Sequence, residues 1–321
     1  MTSPTQRRLT IEQVMAAANE VFGTPAAAAT QLSGGSFGSV FRIDLMDGRS
    51  VVAKSAPEPS AGLLTYEAGM IAEEANYLRL TGPVEGVPTA ELLHVDDDFV
   101  FMSLLPGTAL STMPESAATN TIREECGAAI ARLHAVTGDF FGYAGPRPRA
   151  DSWPDALAAM FEALIRDADV WGVQLPVPAD DLRSILDANR DVLATVTRPA
   201  LVHFDLWDGN VLAVDGHLSG LVDGERYFFG DPMVDFASPA LFRDIVDNPE
   251  HPFVRGYRTV RPLEIDDGVR RRIRFCQLYL YLLMVVEYPS RGMVPAEDPD
   301  RWELIGDLVR TRVELLRRGA V

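Results

Sequence analysis

Apolar and polar residues alternate along much of the first hundred positions, which is the pattern of half-buried strands. Two stretches in the same region repeat their apolar residues every three to four positions and therefore predict helices. The predicted strands are Ala29–Ser33, Ser39–Leu45, Ser50–Lys54, Leu92–Val95 and Phe99–Leu104, and the predicted helices are Thr10–Phe22 and Tyr66–Leu80. Residues 1–104 are thus predicted to form one lobe, a helix plus a five-stranded antiparallel sheet with one inserted helix.

Residues 105–321 carry mainly the helical period and predict a second lobe. A short hairpin, with Asp215-Gly216 as its turn, interrupts the helices. Its strands are Val211–Val214 and Leu218–Val222; the helices are Thr119–Val136, Trp153–Ala168, Asp180–Val196, Val269–Tyr288 and Trp302–Arg318. A chain of 321 residues exceeds the roughly 250 at which single cores stop growing. The predicted fold class is α+β with two lobes.

Charge and composition narrow the possible functions. A net charge of −17 disfavours nucleic acid as a partner, because phosphate backbones attract the opposite sign. The longest apolar run, near Tyr279–Val286, is too short to span a membrane, and Met1–Arg8 has no secretory character. Cys126 and Cys276 lie in apolar helical stretches and are predicted to be buried thiols. We therefore expect a cytoplasmic protein, a monomer or weak dimer, with no nucleic-acid or membrane partner.

One basic residue stands apart from the others. Lys54 is the only lysine in the chain, and every other basic position except histidine is arginine. An ammonium and a guanidinium are not interchangeable where a compact charge must reach a phosphate. Lysine at a strand end can also be an ordinary solvated edge residue, so its neighbours must decide between the two interpretations.

The strongest chemical signal is His203-Phe204-Asp205-Leu206-Trp207-Asp208-Gly209-Asn210, followed after the hairpin by Asp223. Asp205 and Asn210 lie five residues apart in one loop, and the hairpin returns the chain so that Asp223 reaches the same place. Two carboxylates and an amide then converge on one point. Such oxygen ligands suit magnesium bound to phosphate oxygens.

This arrangement resembles the catalytic loop and metal-binding aspartate of protein-kinase-like enzymes, and more closely the aminoglycoside phosphotransferase and fructosamine kinase superfamily. Asp223 follows Asp205 by eighteen residues, as in that superfamily, and Gly230-Asp231-Pro232 with Asp235 also matches. The resemblance covers about residues 32–242. It implies a protein-kinase-like two-lobe fold and a transferase of the γ-phosphoryl group of ATP or GTP to a hydroxyl, with Mg²⁺ as cofactor.

Roles follow from the resemblance residue by residue. Asp205 would be the catalytic base, and Asn210 and Asp223 would hold Mg²⁺. His203 and Asp231 would support the loop structurally. Phe204 departs from the superfamily, which often has glycine there, and could reshape the floor beneath the acceptor. Glu225 is expected to orient its loop or to be a spare metal ligand, and Trp207 to be a packing residue and not a substrate contact.

The nucleotide side is predicted from the first lobe. Gly34, Gly35, Ser36 and Phe37, before Gly38, would form a glycine-rich loop whose backbone amides approach phosphates, although an ordinary hairpin has the same composition. Lys54, at the end of Val51-Val52-Ala53, would bind the α- and β-phosphates. Glu74 is its expected partner, with Glu67 and Glu73 as alternatives that could equally be surface charges. Met102-Ser103-Leu104 would be the hinge that contacts the base.

The sequence does not identify the acceptor. An antibiotic of the aminoglycoside or nucleoside type, which would make the protein a resistance enzyme, or a related amino sugar is the first hypothesis, and a ketosamine or other sugar metabolite the second. A non-catalytic nucleotide-binding module and a metal-dependent hydrolase are further alternatives. Candidate acceptor walls are Trp153, Asp167, Asp169, Trp171, Tyr227, Phe228 and Phe229, although the two aspartates also fit a solvated helix end.

Overall fold

A computed structural model describes residues 3–32, 35 and 37–319. Gly34 and Ser36, two of the predicted nucleotide-binding residues, lie outside this range. The fold is mixed helix and sheet, with an antiparallel sheet in the amino-terminal region and a mainly helical carboxyl-terminal region, as predicted.

The amino-terminal region is a five-stranded antiparallel sheet with a helix packed on one face. Helix α1 begins after Thr10, whose side chain accepts a hydrogen bond from the amide of Gln13 in a reciprocal capping box. The strands pair in the order β1-β2-β3-β5-β4. The elements are α1 (Ile11–Phe22), β1 (Ala26–Leu32), β2 (Val40–Leu45), β3 (Ser50–Ser55), α2 (Met70–Thr81), β4 (Leu92–Val95) and β5 (Phe99–Ser103).

Strand β3 shows how this sheet presents a lysine to the second lobe. Side chains alternate between the two faces of a strand. Val51 and Ala53 therefore pack with α1 in a small apolar core, and Val52 and Lys54 point to the opposite face. That opposite face is one wall of the cleft between the lobes.

The second lobe is built around long helices and two small sheets. Three-stranded pairing joins β6, β10 and β11, and four short strands pair in the order β8-β7-β12-β9. The elements are β6 (Thr108–Ala109), α3 (Ala117–Leu133), β7 (Phe141–Gly142), β8 (Arg149–Ala150), α4 (Trp153–Trp171), α5 (Ala179–Ala188), α6 (Arg190–Leu193), β9 (Ala200–Val202), β10 (Val211–Val214), β11 (His217–Leu221), β12 (Phe228–Gly230), α7 (Pro252–Val260), α8 (Asp267–Glu287) and α9 (Pro299–Arg317).

Two predicted helices are interrupted, and one helix and one sheet were not predicted. The stretch from Tyr66 contains a 3₁₀ turn, Thr65–Glu67, separated from α2 by Gly69 in the left-handed conformation, with φ of 74°. Asn189, with φ of −114°, divides the stretch predicted as one helix into α5 and α6. The four-stranded sheet escaped prediction because its strands have two or three residues each, too few to show a period. Helix α7 was not predicted either.

In the described part of the chain, no helix combines the length and the apolar character that crossing a membrane requires. Cys126 and Cys276 are buried free thiols, as predicted.

Candidate active site

Two adjoining cavities occupy the cleft between the lobes. The larger, of 470 Å³, is lined by Val52 of β3 and by Met102, Ser103 and Leu104 after β5. The smaller, of 110 Å³, contains Gly35, Phe37 and the charged groups described below. Lys54, Asn210 and Asp223 line both cavities. The larger cavity therefore suits an apolar ring system, and the smaller one a group that meets several charges.

Lys54 lies in the middle of a buried group of carboxylates. Its ammonium is 3.0 Å from Glu74, 2.9 Å from Asp223 and 2.8 Å from Glu225. We call these four residues the lysine cluster. Glu74, on α2, is thus the partner of Lys54. Glu67 and Glu73 are not surface charges but are also buried, and Glu73 accepts a hydrogen bond from Tyr227 at 2.6 Å.

Burial and mutual charge set the ionisation of this cluster. Burial opposes the charged form of Lys54, but Asp223, Glu225 and Glu74 outweigh it and raise its pKa. Burial raises the pKa of Glu74, and Lys54 offsets only part of that effect. For Glu225, Lys54 and a hydrogen bond with Glu74 outweigh burial and lower the pKa. Lys54 thus stays charged.

The loop from His203 to Asn210 is held by two side chains that bind its backbone groups. Asp235 accepts hydrogen bonds from the amides of His203, at 3.0 Å, and Phe204, at 2.6 Å. Ser238 accepts one from the amide of Leu206 at 2.8 Å and donates one to the carbonyl oxygen of Phe204 at 3.0 Å. These bonds hold Asp205, the residue between Phe204 and Leu206, at the edge of the smaller cavity.

The hairpin β10–β11 brings the second part of the motif to the same place. Its turn uses Asp215 and Gly216, both with positive φ. The amide of Val222 donates to the carbonyl oxygen of Asn210 at 3.1 Å, which ties the end of the hairpin to its beginning. Asp223 follows in the left-handed conformation, with φ of 60°, and its side chain is 39% exposed toward the cavities. The expected convergence of Asp205, Asn210 and Asp223 on one cavity is therefore present.

Asp205 is half-buried next to one cation. Its carboxylate lies 3.7 Å from the guanidinium of Arg226, with a side chain that is 23% exposed. Burial raises the pKa of Asp205, and Arg226 opposes that effect. A carboxylate with a pKa above its ordinary value is a better proton acceptor, and the loop holds it in one place.

The donor set fits a hard divalent cation. Carboxylate oxygens of Glu74, Asp223 and Glu225 lie within 4.8 Å of one another, and only one lysine balances them. Asn210 donates through its side-chain nitrogen to the carbonyl oxygen of Asp205 at 2.8 Å, which leaves its side-chain oxygen as the potential ligand. Asp223 and Asn210 could therefore hold Mg²⁺ between the lysine cluster and Asp205.

The remaining predicted residues differ in how they are used. Gly35 and Phe37 line the smaller cavity, and Met102 and Leu104 line the larger one. His203 is buried against Tyr77, with ring centroids 5.4 Å apart, and neither of its ring nitrogens has a hydrogen-bond partner among the described residues. Asp231 caps the 3₁₀ turn Pro232–Phe236 and pairs with Arg272 at 3.0 Å.

Several expectations about the acceptor side were wrong. None of the seven candidate acceptor walls lines either cleft cavity. The aromatic ones mostly pack against each other in the core, as Trp153 does against Phe228. Asp167 is not a solvated helix end but is buried and accepts a hydrogen bond from the Thr65 amide at 2.8 Å. Trp207, expected to be a packing residue and not a substrate contact, is 39% exposed and lines both cavities.

Phe204 has a different meaning from the one expected. Its φ of 73° is the left-handed conformation, which glycine adopts without strain. Its side chain is fully buried against Phe228 and Tyr279 and lines neither cleft cavity. It is thus a core residue that keeps a backbone conformation favouring glycine, and no floor beneath the acceptor.

Sequence reasoning missed Arg226 and Glu287, which lie next to the site. Arg226 lines the smaller cavity and donates to Glu287, the last residue of α8, at 2.9 Å. The only available signal was position, since Arg226 follows Asp223 by three residues. Nothing in the sequence links Arg226 to Glu287, about sixty positions further along the chain.

Comparison with known proteins agrees with this geometry. Among curated proteins, residues of this chain are 28% identical to the homoserine kinase of Neisseria meningitidis serogroup B over 192 residues, 55% of this chain and 59% of that protein. A candidate ketoamine kinase of Lactiplantibacillus plantarum is 26% identical over 185 residues, 54% of this chain and 62% of that protein. The match thus spans about three fifths of these relatives' length.

Solved structures match over nearly the whole chain. A candidate fructosamine-3-kinase of Thermobifida fusca superposes with a TM-score of 0.72 at 25% identity, covering 95% of this chain and all of that one. A thermostable mutant of aminoglycoside phosphotransferase APH(4)-Ia, with ADP and hygromycin B, gives a TM-score of 0.63 at 20% identity, covering 96% of this chain and 99% of that one. The model of the family described as the phosphotransferase enzyme family (APH) matches residues 28–275. The chain belongs to this family.

Proposed function

We propose that the protein is a small-molecule kinase that moves the γ-phosphoryl group of ATP or GTP onto a hydroxyl of an antibiotic, of the aminoglycoside or nucleoside type, or of a related amino sugar. The observation that carries the proposal is the meeting of Lys54, Asp205, Asn210 and Asp223 at one cavity of 110 Å³. These groups come from β3, the loop after β9 and the end of the hairpin, and each offers what phosphoryl transfer needs.

The residues have distinct tasks in this reaction. The base of the nucleotide would occupy the 470 Å³ cavity beside Met102 and Leu104, and Lys54 would bind phosphate oxygens. Asp205 would accept the proton of the acceptor hydroxyl as its oxygen forms a bond to the γ-phosphorus and the bond to the leaving nucleoside diphosphate breaks. Mg²⁺, when held by Asp223 and Asn210, supplies positive charge to the phosphate oxygens.

A ketosamine is the second candidate acceptor. It is favoured by the similarity to the Thermobifida fusca protein, which has 25% identity over 95% of this chain. Both candidates keep the same phosphoryl chemistry and differ only in what occupies the space in front of Asp205 and Trp207. In either case we propose a cytoplasmic enzyme, a monomer or weak dimer, with no nucleic-acid or membrane partner.

A substrate panel tests the proposal. Purified protein with Mg²⁺ and ATP or GTP is offered aminoglycosides, nucleoside antibiotics, ketosamines and homoserine, and nucleoside diphosphate release is measured. Phosphorus NMR then identifies a phosphorylated acceptor. Release of inorganic phosphate alone would instead indicate a hydrolase, and nucleotide binding without any turnover a non-catalytic module.

Asp205→Asn is the variant that tests the role of the catalytic base. The amide keeps the shape of the side chain but cannot accept the hydroxyl proton, so transfer should fall by about a hundredfold or more. Nucleotide affinity, measured by calorimetry, should stay near that of the wild type, because Asp205 is not among the phosphate-binding groups. Transfer at close to the wild-type rate would remove Asp205 from the role of base.

A further inference from the structure

A second group of mostly buried charges includes Arg226, whose guanidinium lies 3.7 Å from the carboxylate of Asp205. Arg291, in the turn after α8, pairs with Glu67 and lies 3.2 Å from Glu287. The hydroxyl of Tyr66 donates a hydrogen bond to Glu287, and the guanidinium of Arg226 donates one to the same carboxylate at 2.9 Å. We call Tyr66, Glu67, Arg226, Glu287 and Arg291 the arginine cluster. It joins three distant segments of the chain.

Arg226 connects this cluster to the site. One side of its guanidinium faces Glu287, and its Nε is 3.7 Å from the carboxylate of Asp205. The central carbon of the guanidinium, Cζ, lies 5.7 Å from the centre of the Tyr66 ring, so a cation–π contact also restrains Arg226. Arg226 also lines the 110 Å³ cavity together with Lys54 and Asp223.

The position of Glu287 is electrostatically unfavourable by itself. It is the last residue of α8, where the helix dipole disfavours a negative charge, and its side chain is only 11% exposed. Arg291 and Glu67 already form an ion pair without it. The carboxylate of Glu287 is thus not needed to balance Arg291, whereas Arg226 has no other carboxylate within hydrogen-bond distance in the described part of the chain.

We propose that Glu287 is a positioning residue for phosphoryl transfer: it fixes the guanidinium of Arg226 between the carboxylate of Asp205 and the cavity for the transferred phosphate. This inference rests on the proposed function. Arginine has five N–H donors in a planar fork, so one edge can bind Glu287 while another faces Asp205 and the cavity. At 3.7 Å the contact with Asp205 is too long for a strong hydrogen bond, so the alignment of the two groups depends on the anchor at Glu287, which the Tyr66 ring supplements.

The burial of Glu287 makes its contact with Arg226 dependent on pH. Burial raises the pKa of Glu287 to about 7, and Arg291 only partly opposes it. The charged and titratable groups that face Glu287 are Tyr66 and Arg226 directly, Arg291 from the following turn, and Glu67 beyond Arg291. Below about pH 7 a protonated Glu287 would hold Arg226 less firmly.

The test compares Glu287→Gln with Glu67→Gln. Both replace a buried carboxylate that contacts Arg291, but only Glu287 contacts Arg226. ATP with Mg²⁺ is the probe, and turnover is measured as ADP release with the best acceptor of the panel or, without one, with water. We expect kcat of Glu287→Gln to fall by about 10- to 100-fold, as for a misplaced catalytic group, with KM for ATP little changed. Glu67→Gln should keep most of the wild-type kcat.

Two readouts separate positioning from a merely structural role. In the wild type, kcat should decline as pH falls through about 7, the pKa of Glu287, and Glu287→Gln should lack this decline. Arg226→Lys and the double variant with Glu287→Gln should show the same kcat, because both changes remove one alignment. Both readouts use only substitutions of Arg226 and of Glu287, so they still decide the question if Glu67→Gln does not fold.

The outcomes are distinguishable. An active wild type whose Glu287→Gln variant turns over at the same rate overturns this inference alone. So does a parallel loss of kcat in both glutamine variants that follows their melting temperatures. A wild type that neither binds ATP in calorimetry nor releases ADP overturns the proposed function, and this inference with it.

Discussion

The lysine cluster and the arginine cluster both contribute residues to the smaller cavity and differ in their charge balance. In the lysine cluster one ammonium faces three carboxylates, and one of these, Asp223, is 39% exposed to the cavity. In the arginine cluster two guanidinium groups face Glu67 and Glu287, and these four side chains are at most 14% exposed. The first is short of positive charge next to open space, and the second is balanced inside the protein.

This difference assigns the two clusters different tasks. A buried excess of carboxylates is costly unless a further cation is bound, which suits a site for Mg²⁺ and nucleotide. A balanced buried network holds its members in one geometry and offers no reason to bind anything. The lysine cluster is thus suited to change when ligands bind, and the arginine cluster to keep Asp205 and Arg226 in place.

Removing Lys54 should give the largest effect. Lys54→Met keeps the length of the side chain but leaves the buried carboxylates of Glu74 and Glu225 without their cation, which should lower the free energy of unfolding by about 3–5 kcal/mol. Urea unfolding measures this change. Mg²⁺ should restore more stability to the variant than to the wild type, because the freed carboxylates can then coordinate it.

Arg42→Met is the control for that experiment. Arg42 lies on the neighbouring strand β2 and pairs with Asp44 at 3.0 Å, but both side chains are more than 40% exposed. Loss of such a pair should cost at most about 1 kcal/mol. Equal costs for the two variants, or no special response of Lys54→Met to Mg²⁺, would contradict the unbalanced charge of the lysine cluster.

The arginine cluster should reveal itself in the pH dependence of stability. The pKa of Glu287 is about 7 in the folded protein, against an ordinary value of 4.5. Because the folded pKa is raised, its contribution to stability is fully present below pH 4.5 and is lost as pH rises through 7. Glu287→Gln does not titrate, so its unfolding free energy should gain about 3 kcal/mol on the wild type between pH 4.5 and 8.

The comparison of the two proteins at each pH removes the other titrating groups from this result. Denaturant unfolding from pH 4.5 to 8 is the measurement, and Glu162→Gln on the exposed surface, where Glu162 pairs with Arg183 at 2.6 Å, is the control. A constant difference between wild type and Glu287→Gln would mean that Glu287 titrates at its ordinary pKa. The burial of Glu287 would then not disfavour its charged form.

The sequence predicted the lysine cluster better than the arginine cluster for a physical reason. Lys54 ends a strand whose alternation is visible, and Asp205, Asn210 and Asp223 lie within nineteen residues joined by a recognisable hairpin. Their convergence follows from local structure. Glu67, Arg226 and Glu287 come from three segments that meet only through the packing of α8, and no local pattern encodes that contact.

The same distinction explains the errors about the acceptor side. Trp153 and Phe228 were expected to line a cavity because aromatic residues suit sugars, but they fill the core between α4 and β12. Trp207 was expected to be a packing residue, yet its side chain is 39% exposed in its loop. Residue type predicts burial only on average, and the direction of a side chain in an irregular loop depends on tertiary contacts.

The difference between two variants of Phe204 is the smallest and most specific expected effect, because it tests how the catalytic loop is held. Phe204→Ala should cost about 3–5 kcal/mol through the cavity that it leaves. Phe204→Gly leaves a similar cavity but relieves the left-handed backbone, which costs a residue with a β-carbon about 1 kcal/mol, so it should be more stable than Phe204→Ala by about that amount. Phe236, also fully buried but without positive φ, should show the opposite order, since glycine there only adds chain entropy. Urea unfolding of the four variants decides the matter: the same order at both positions would mean that the backbone at Phe204 stores no strain, and that Asp235 and Ser238 hold the loop without having to overcome any.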